Sequence, residues 1–437
     1  MRHAPRTLSH VCEVPLPVDQ TRSRVDGYDF RAPDSWDQFA DVVALAYGGY
    51  EAVPEYRKII GDIFEPKRSL LAHRAGETCA TLALYSLDMS VPGGRQPIAG
   101  IGYVTVDPTH RRRGLMRDLI RRTLTGLHDR GEEAVAALHT TEPAIYGRFG
   151  FGSATRAVRI RIPRSSRELS TRPPAAPTDP PPSVRVLDPA RCGAEITRIY
   201  EHAIDRRPGM PRRDGTWMRR ALLDLPERRG GAGRLLCMLA GADDGEPATG
   251  YALYSLTAHW ENSYPRYEVH VRELFANDPT AYVNLWRALL DIDLGGTVIA
   301  DRPVDDAILA LLDDPRSAAP VARDQLYTRP VDVARALAGR GYGAEVDLVL
   351  AVADPICPWN VGRWRLRTGT YEGECARTSA PADLALTVRE LGAVHLGGTS
   401  LTQLAAAGRV VEHRAGALRA ATRAFHHDPA PFCPTVF

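Results

Sequence analysis

Lysine is almost absent from this chain. Lys58 and Lys67 are the only two among 55 basic residues, which reads as the mark of a GC-rich coding sequence. An excess of either charge is missing too. The 55 basic and 53 acidic residues leave a net charge of +2, without the clustered basic surplus of a nucleic-acid binder. The seven cysteines (Cys12, Cys79, Cys192, Cys237, Cys357, Cys375 and Cys433) are odd in number and dispersed, with no C-x-x-C pair. That pattern excludes a disulfide framework and a zinc site, and it fits a reducing cytoplasm with no metal. No run of 18 apolar residues occurs, so no spanning helix is expected. The first twenty residues, MRHAPRTLSHVCEVPLPVDQ, lack the apolar core of a signal peptide.

What is present is an ordinary globular composition, 44% hydrophobic and 25% charged over 437 residues, long enough for two to four domains. Residues 1–26 are polar and proline-containing and read as a loose arm. A first α/β unit is expected over 27–162: a helix at 36–47, two strands within 69–89, a strand at 100–108, an amphipathic helix at 113–131 and a buried strand at 134–139. Residues 163–183 contain seven prolines and read as a stiff linker. A second unit over 184–333 repeats the order helix, hairpin, strand, helix. A third, over 334–437, has strands in EVDLVLAV, GRWRLR and DLALTV, a helix in SLTQLAAAGRV and a proline-rich tail ending at Phe437.

The chemistry concentrates in YVTVDPTHRRRGLMRDLI, residues 103–120. A helix N-terminus presents unpaired amides and the positive end of the helix dipole, which together bind anions. Here Arg111, Arg112 and Arg113 precede the helix, and Gly114 lets the backbone approach closely. That much positive charge suits a pyrophosphate with a further phosphate better than a single phosphate.

The turn Arg111-Arg112-Arg113-Gly114-Leu115-Met116 resembles the R-x-x-G-x-G/A loop with which GNAT N-acetyltransferases hold acetyl-coenzyme A, departing from it at Met116. The longer stretches VTVDPTHRRRGLMRDLI, AALHTTEPAIYGRFGFG, DLVLAVADPICPWNVGRWRL and APFCPTVF resemble the Eis (enhanced intracellular survival) family. The resemblance implies an α/β (α+β) chain of two tandem GNAT-like domains, the second degenerate, then a sterol-carrier-protein-like domain, assembled as a hexamer. It implies acetyl-CoA as co-substrate. The backbone of Val104, Thr105 and Val106 would hold the pantetheine arm, and the amides from Arg111 to Met116, Leu115 included, the pyrophosphate. His139 and Thr141 would lie beside the thioester. Tyr146 would be the general acid and the α-carboxylate of Phe437 the general base.

Aminoglycoside-modifying relatives need acidic pocket walls, whereas this chain carries Gly48–Gly49 and Val436 where acids can occur. Tyr47, Glu51, Trp217 and Val436 are the candidate acceptor contacts, with Glu55, Asp305 and Asp306 as further carboxylates and Trp36, Tyr50 and Tyr56 as further aromatics. The acceptor expected is a primary amine: an aminoglycoside (hence a resistance role), another amine-bearing natural product of the host's own metabolism, or a lysine side chain. The contrasting reading is a non-catalytic acyl-CoA or lipid-binding module.

Overall fold

The computed structural model describes residues 25, 27–48, 53–169, 184–241, 247–369 and 372–437, with Glu261 by its backbone alone. The proposed arm at 1–26, except Val25, and the prolines beyond residue 169 of the proposed linker fall outside them.

Three sheets carry the chain. The first has seven strands in the order Asp29–Arg31, Leu70–Arg74, Glu77–Val91, Gly94–Val106, Val135–His139, Leu326–Pro330, Gly152–Ser153. Gly94–Val106 and Val135–His139 run parallel, joined by the crossover helix Leu115–Arg130. Leu115, Leu119, Ile120, Leu124 and Leu127 recur at helical spacing and bury that helix on the sheet. Helices Asp37–Tyr47 and Pro54–Ile63 contribute Phe39, Val43, Ile59 and Ile60 to a separate apolar cluster, which also holds Tyr85 and Ile98 from the strands.

The second sheet repeats this plan, in the order Val321–Asp324, Arg156–Pro163, Gly295–Pro303, Tyr264–Ala276, Gly250–Glu261, Leu236–Ala240, Val184–Leu187. Its parallel pair is Tyr264–Ala276 with Gly295–Pro303, and its crossover helix is Pro279–Leu290. The two sheets exchange strands: Arg156–Pro163 lies in the second and Leu326–Pro330 in the first, so residue 162 falls inside a strand of the second sheet.

The third sheet has the order Gly373–Arg377, Gly362–Thr368, Val346–Ala353, Leu384–Thr387, Val411–Glu412, with helices Val388–Val394, Leu401–Ala406 and Ala417–Phe425 packed on it. The helix Val388–Val394 begins where the strand in DLALTV ends, because Thr387 and Glu390 form a capping box. A fully buried ion pair joins this unit to the exchanged strand. Arg329 donates to both carboxylate oxygens of Asp354 at 2.7 Å and to the Phe149 carbonyl at 2.7 Å. Asn360 of the CPWN turn donates to Asp354 (2.9 Å) and Trp359 to the Val331 carbonyl (2.8 Å), so this turn ties the exchanged strand to the third unit.

Candidate active site

Strand Gly94–Val106 pairs with Val135–His139 only as far as Ile101 opposite Leu138. Beyond it the register with Glu77–Val91 shifts between Thr81 and Ala83, and Tyr103 takes φ +46°. This bulge turns the strand away from its parallel neighbour. The gap holds a cavity of about 1130 Å³.

Val104, Thr105 and Val106 line one wall; His139, Thr141 and Tyr146 line the facing segment. At one end stand Arg111, Arg112, Gly114, Leu115 and Met116. Arg112 (φ +62°) and Gly114 (φ +92°) are left-handed, a turn that directs successive amides into one concavity. The helix Leu115–Arg130 has no side-chain cap, so its first amides remain for a ligand. The matching helix of the second unit, Pro279–Leu290, starts with a proline and is capped by the Asp278 carboxylate on the Ala281 amide (2.8 Å). Its own side chain fills the place of an anion, which is the physical content of degeneracy here. Arg113 is absent from the cavity wall. It turns outward, donating to the Tyr28 hydroxyl (3.3 Å) and the Thr109 carbonyl (3.1 Å).

At the other end lie Tyr47, Tyr56, Tyr103, Arg220, Arg228, Val436 and Phe437. The last residue lies in a slot that glycine opens: a Cβ on Gly102 would sit 3.1 Å from the main-chain carbon of Phe437, and one on Gly100 3.1 Å from its ring. The Phe437 ring meets His139 edge-on at 5.2 Å. His139 Nε2 lies 3.0 Å from the Thr435 carbonyl. Burial pushes the His139 imidazole down to about 4, helped by the nearby Arg220 charge, although the Thr435 and Gln325 carbonyls oppose the shift. His139 is therefore neutral near pH 7 and holds the tail.

Residues of the second unit hold the rest of the tail. The Ala430 amide donates to Asp305 (2.8 Å) and the Phe432 amide to the Pro208 carbonyl (2.9 Å). Gln325 accepts from the Cys433 amide (3.0 Å), and Arg220 donates to the Val436 carbonyl. Arg213 Nε donates to Thr435 Oγ1 (3.0 Å), while its fork makes a buried bidentate pair with Glu273 at 3.0 and 2.8 Å.

Several acceptor contacts drawn from the sequence stand elsewhere. Trp217 packs edge-on against Tyr85 at 5.5 Å and borders a smaller adjoining cavity of about 310 Å³. Asp305 binds the tail and Arg207, Asp306 is paired with buried Arg302, and Trp36 belongs to the core; none reaches the large cavity. Glu51 and Tyr50 lie outside the described residues. Sequence reasoning missed Tyr103, Arg220, Arg228 and the tail anchors Arg213 and Glu273. The one local signal was the Gly-Ile-Gly-Tyr run at 100–103, small residues in an apolar strand.

Tyr146, on the short helix Pro143–Gly147, rests edge-on against Phe151 at 6.1 Å. Burial, then the neighbouring Tyr47 and Glu142, push its hydroxyl well above the ordinary tyrosine range, so it stays protonated. No group of three or more His, Cys, Asp or Glu suited to a metal occurs among the described residues, and no described helix is long and apolar enough to cross a membrane.

Comparison with known proteins agrees with this geometry. The acetyltransferase (GNAT) domain matches residues 29–154 and, as a second such domain, 209–334; the sterol carrier protein domain matches 333–434. An uncharacterized N-acetyltransferase of Streptomyces avermitilis is 42% identical over 92% of this chain and 98% of its own length. The N-acetyltransferase Eis of Mycobacterium tuberculosis is 32% identical over 81% of this chain and 84% of its own. The crystal structure of Eis1 from Mycobacterium abscessus superposes with a TM-score of 0.77 at 31% identity, covering 94% of this chain and 100% of that one. Two acetyltransferase domains followed by a sterol-carrier-like unit, matched by relatives more than 30% identical over most of their length, place it: the chain belongs to the Eis family of GNAT N-acetyltransferases.

Proposed function

We propose that the chain moves an acetyl group from acetyl-CoA to a primary amine by direct attack within one ternary complex. The observation that carries this reading is the convergence, on one cavity, of the uncapped arginine turn, Tyr146 and Phe437. The amides from Arg111 to Met116 would take the pyrophosphate, with Arg111 and Arg112 as counter-charges. The bulged backbone from Val104 to Val106 would pair with the pantetheine arm.

An alkyl ammonium, with a pKa near ~10.4, must lose a proton before it attacks. A carboxylate at Phe437, buried with that residue on the cavity wall, is placed to attract the cationic amine and take its proton. The attacking nitrogen bonds to the thioester carbon, the carbon–sulfur bond breaks, and sulfur leaves as a thiolate. Tyr146, kept protonated by burial, donates a hydrogen bond to that sulfur and relays to it the proton that the nitrogen sheds on becoming an amide, so the tyrosine ends as it began. The acceptor class drawn from the resemblance comprises aminoglycosides, other amine-bearing natural products and lysine side chains. Cytoplasmic assembly as a homo-hexamer belongs to the same proposal, and light scattering tests the assembly.

Thiol release from acetyl-CoA is the direct assay. Tyr146→Phe is expected to lower kcat by about 10²–10⁴. Residues appended after Phe437 are expected to lower it comparably without changing acetyl-CoA binding. Full rates in both sink this assignment of roles.

A further inference from the structure

A bulge disrupts the regular ladder, so other bonds must hold the strand in its splayed form. Here Ala83 stands opposite Gly102 and Thr81 opposite Thr105, which leaves Tyr103 and Val104 facing the single residue Leu82. Tyr103, at φ +46°, is in a left-handed conformation that a bulky side chain adopts only when its surroundings enforce it. Thr81, wholly buried on the neighbouring strand, reaches across the bulge: its hydroxyl donates to the Tyr103 carbonyl at 2.8 Å. The Thr105 hydroxyl lies 2.6 Å from that of Thr81. Thr81 has one hydroxyl proton and gives it to the carbonyl, so Thr105 is the donor between the two hydroxyls. A directed chain results, from Thr105 through Thr81 to Tyr103, in which each bond polarises the next. The Tyr103 side chain is held as well, its hydroxyl 2.8 Å from that of Tyr56 and its ring edge-on to Trp36 at 4.8 Å.

The second unit supplies the contrast. Its strand Tyr264–Ala276 also bulges, with Arg272 as the extra residue between Val271, opposite Tyr254, and Glu273, opposite Leu253. Arg272 is not left-handed, and the pair beyond it, Leu253 and Glu273, has no hydroxyl to offer. The threonine pair thus goes with the unit whose crossover helix is uncapped, not with the self-capped one.

We propose that Thr81 is a positioning residue for acetyl transfer, fixing the bulge so that the backbone of Val104 to Val106 meets the pantetheine arm of acetyl-CoA. The inference rests on the reading that this backbone takes that arm. Thr81 itself is absent from the cavity wall, so it acts through Tyr103 and Thr105 rather than by touching the coenzyme. Without its hydroxyl the Tyr103 carbonyl loses a buried donor, and the strand is no longer held in the shape the arm requires.

Thr81→Val keeps the branched shape and removes the hydroxyl, whereas Thr81→Ser keeps the hydroxyl. Titration calorimetry on the full-length enzyme compares two probes: acetyl-CoA, and adenosine 3′-phosphate 5′-diphosphate, which is the coenzyme's nucleotide without its pantetheine arm. Thr81→Val is expected to weaken acetyl-CoA about tenfold and leave the nucleotide within about twofold, with Thr81→Ser restoring acetyl-CoA to within about threefold of the parent. Equal losses for both probes, no loss for acetyl-CoA, or a serine variant as weak as the valine one overturns the positioning role. Should Thr81→Val fail to fold, Thr105→Val breaks the same chain one bond earlier; a loss confined to acetyl-CoA is again expected, and its absence overturns the proposal. A parent enzyme that binds acetyl-CoA no more tightly than the nucleotide overturns the pantetheine reading and this inference with it.

Discussion

A methyl group on Gly102 would stand 3.1 Å from both the main-chain carbon and the carbonyl oxygen of Phe437, closer than ordinary van der Waals contact. The bulged strand and the chain's last residue are thus fitted to each other across 335 positions of sequence, and substitution at the strand should act on the tail.

Gly102→Ala is expected to push the Phe437 backbone away by a few tenths of an ångström. A misplacement of that order at reacting groups costs tenfold or more in kcat. Acetyl-CoA affinity should hold, because the arginine turn lies at the other end of the cavity. Steady-state kinetics with a direct coenzyme-binding measurement checks this; an unchanged kcat contradicts it.

His139 couples the tail to pH. Unfolded, its imidazole takes a proton below about 6.5; folded, only below about 4. Between those values the unfolded chain holds the extra proton, so stability falls as pH is lowered through that window, by about 3 kcal/mol in all from this residue. His395, buried and held down to about 3, acts in the same direction. Urea unfolding across pH 4–6.5 should show His139→Gln with a shallower slope than the parent, reduced by about one proton; equal slopes refute the assignment.

The three arginines of the turn are not equivalent. Arg112 lines the cavity, while Arg113 is engaged with Tyr28 and Thr109 outside it. Arg112→Ala should remove a charge-assisted contact of about 1.5–3 kcal/mol, weakening acetyl-CoA about 10–100-fold, with the loss shrinking at high salt. Arg113→Ala should cost much less. Titration calorimetry at two salt concentrations separates them, and an equal loss in both contradicts the observed orientation.

Glu273 should matter to the reaction despite sitting in the unit that lacks the arginine turn. Glu273→Gln leaves Arg213 buried beside Tyr200 without its counter-charge, at a cost of about 3–5 kcal/mol. Because Arg213 also holds Thr435, kcat is expected to fall while acetyl-CoA affinity in the folded fraction is retained. Coenzyme affinity lost in parallel with kcat would instead mark general unfolding.

Local patterns carried much of the first unit. Apolar spacing from Leu115 to Leu127 and the stop at Gly131 place the crossover helix, observed over Leu115–Arg130, because burial on one face and a left-handed C-terminal glycine are short-range requirements. The buried strand at 134–139 appears as Val135–His139 for the same reason. The turn Arg111–Met116 stands out in the sequence as a candidate anion site because its arginines and glycine lie within six consecutive residues.

The rest depends on contacts distant in sequence. Leu326–Pro330 lies between Val135–His139 and Gly152–Ser153 in the first sheet, where Arg329 reaches Asp354, and five residues of strand do not by themselves say which sheet they will join. Trp217 and Asp306 have the residue types of pocket contacts, yet packing against Tyr85 and pairing with Arg302 commit them elsewhere. The chain by itself determined the elements, their repeat and the arginine turn ahead of the crossover helix, since each follows from hydrogen bonding and burial over one or two turns or strands. Only the tertiary structure decided that Phe437 meets Gly102, that His139 is neutral and that Arg220 and Arg228 share a cavity wall with Phe437, because distance and dielectric at a point are set by groups far apart in sequence.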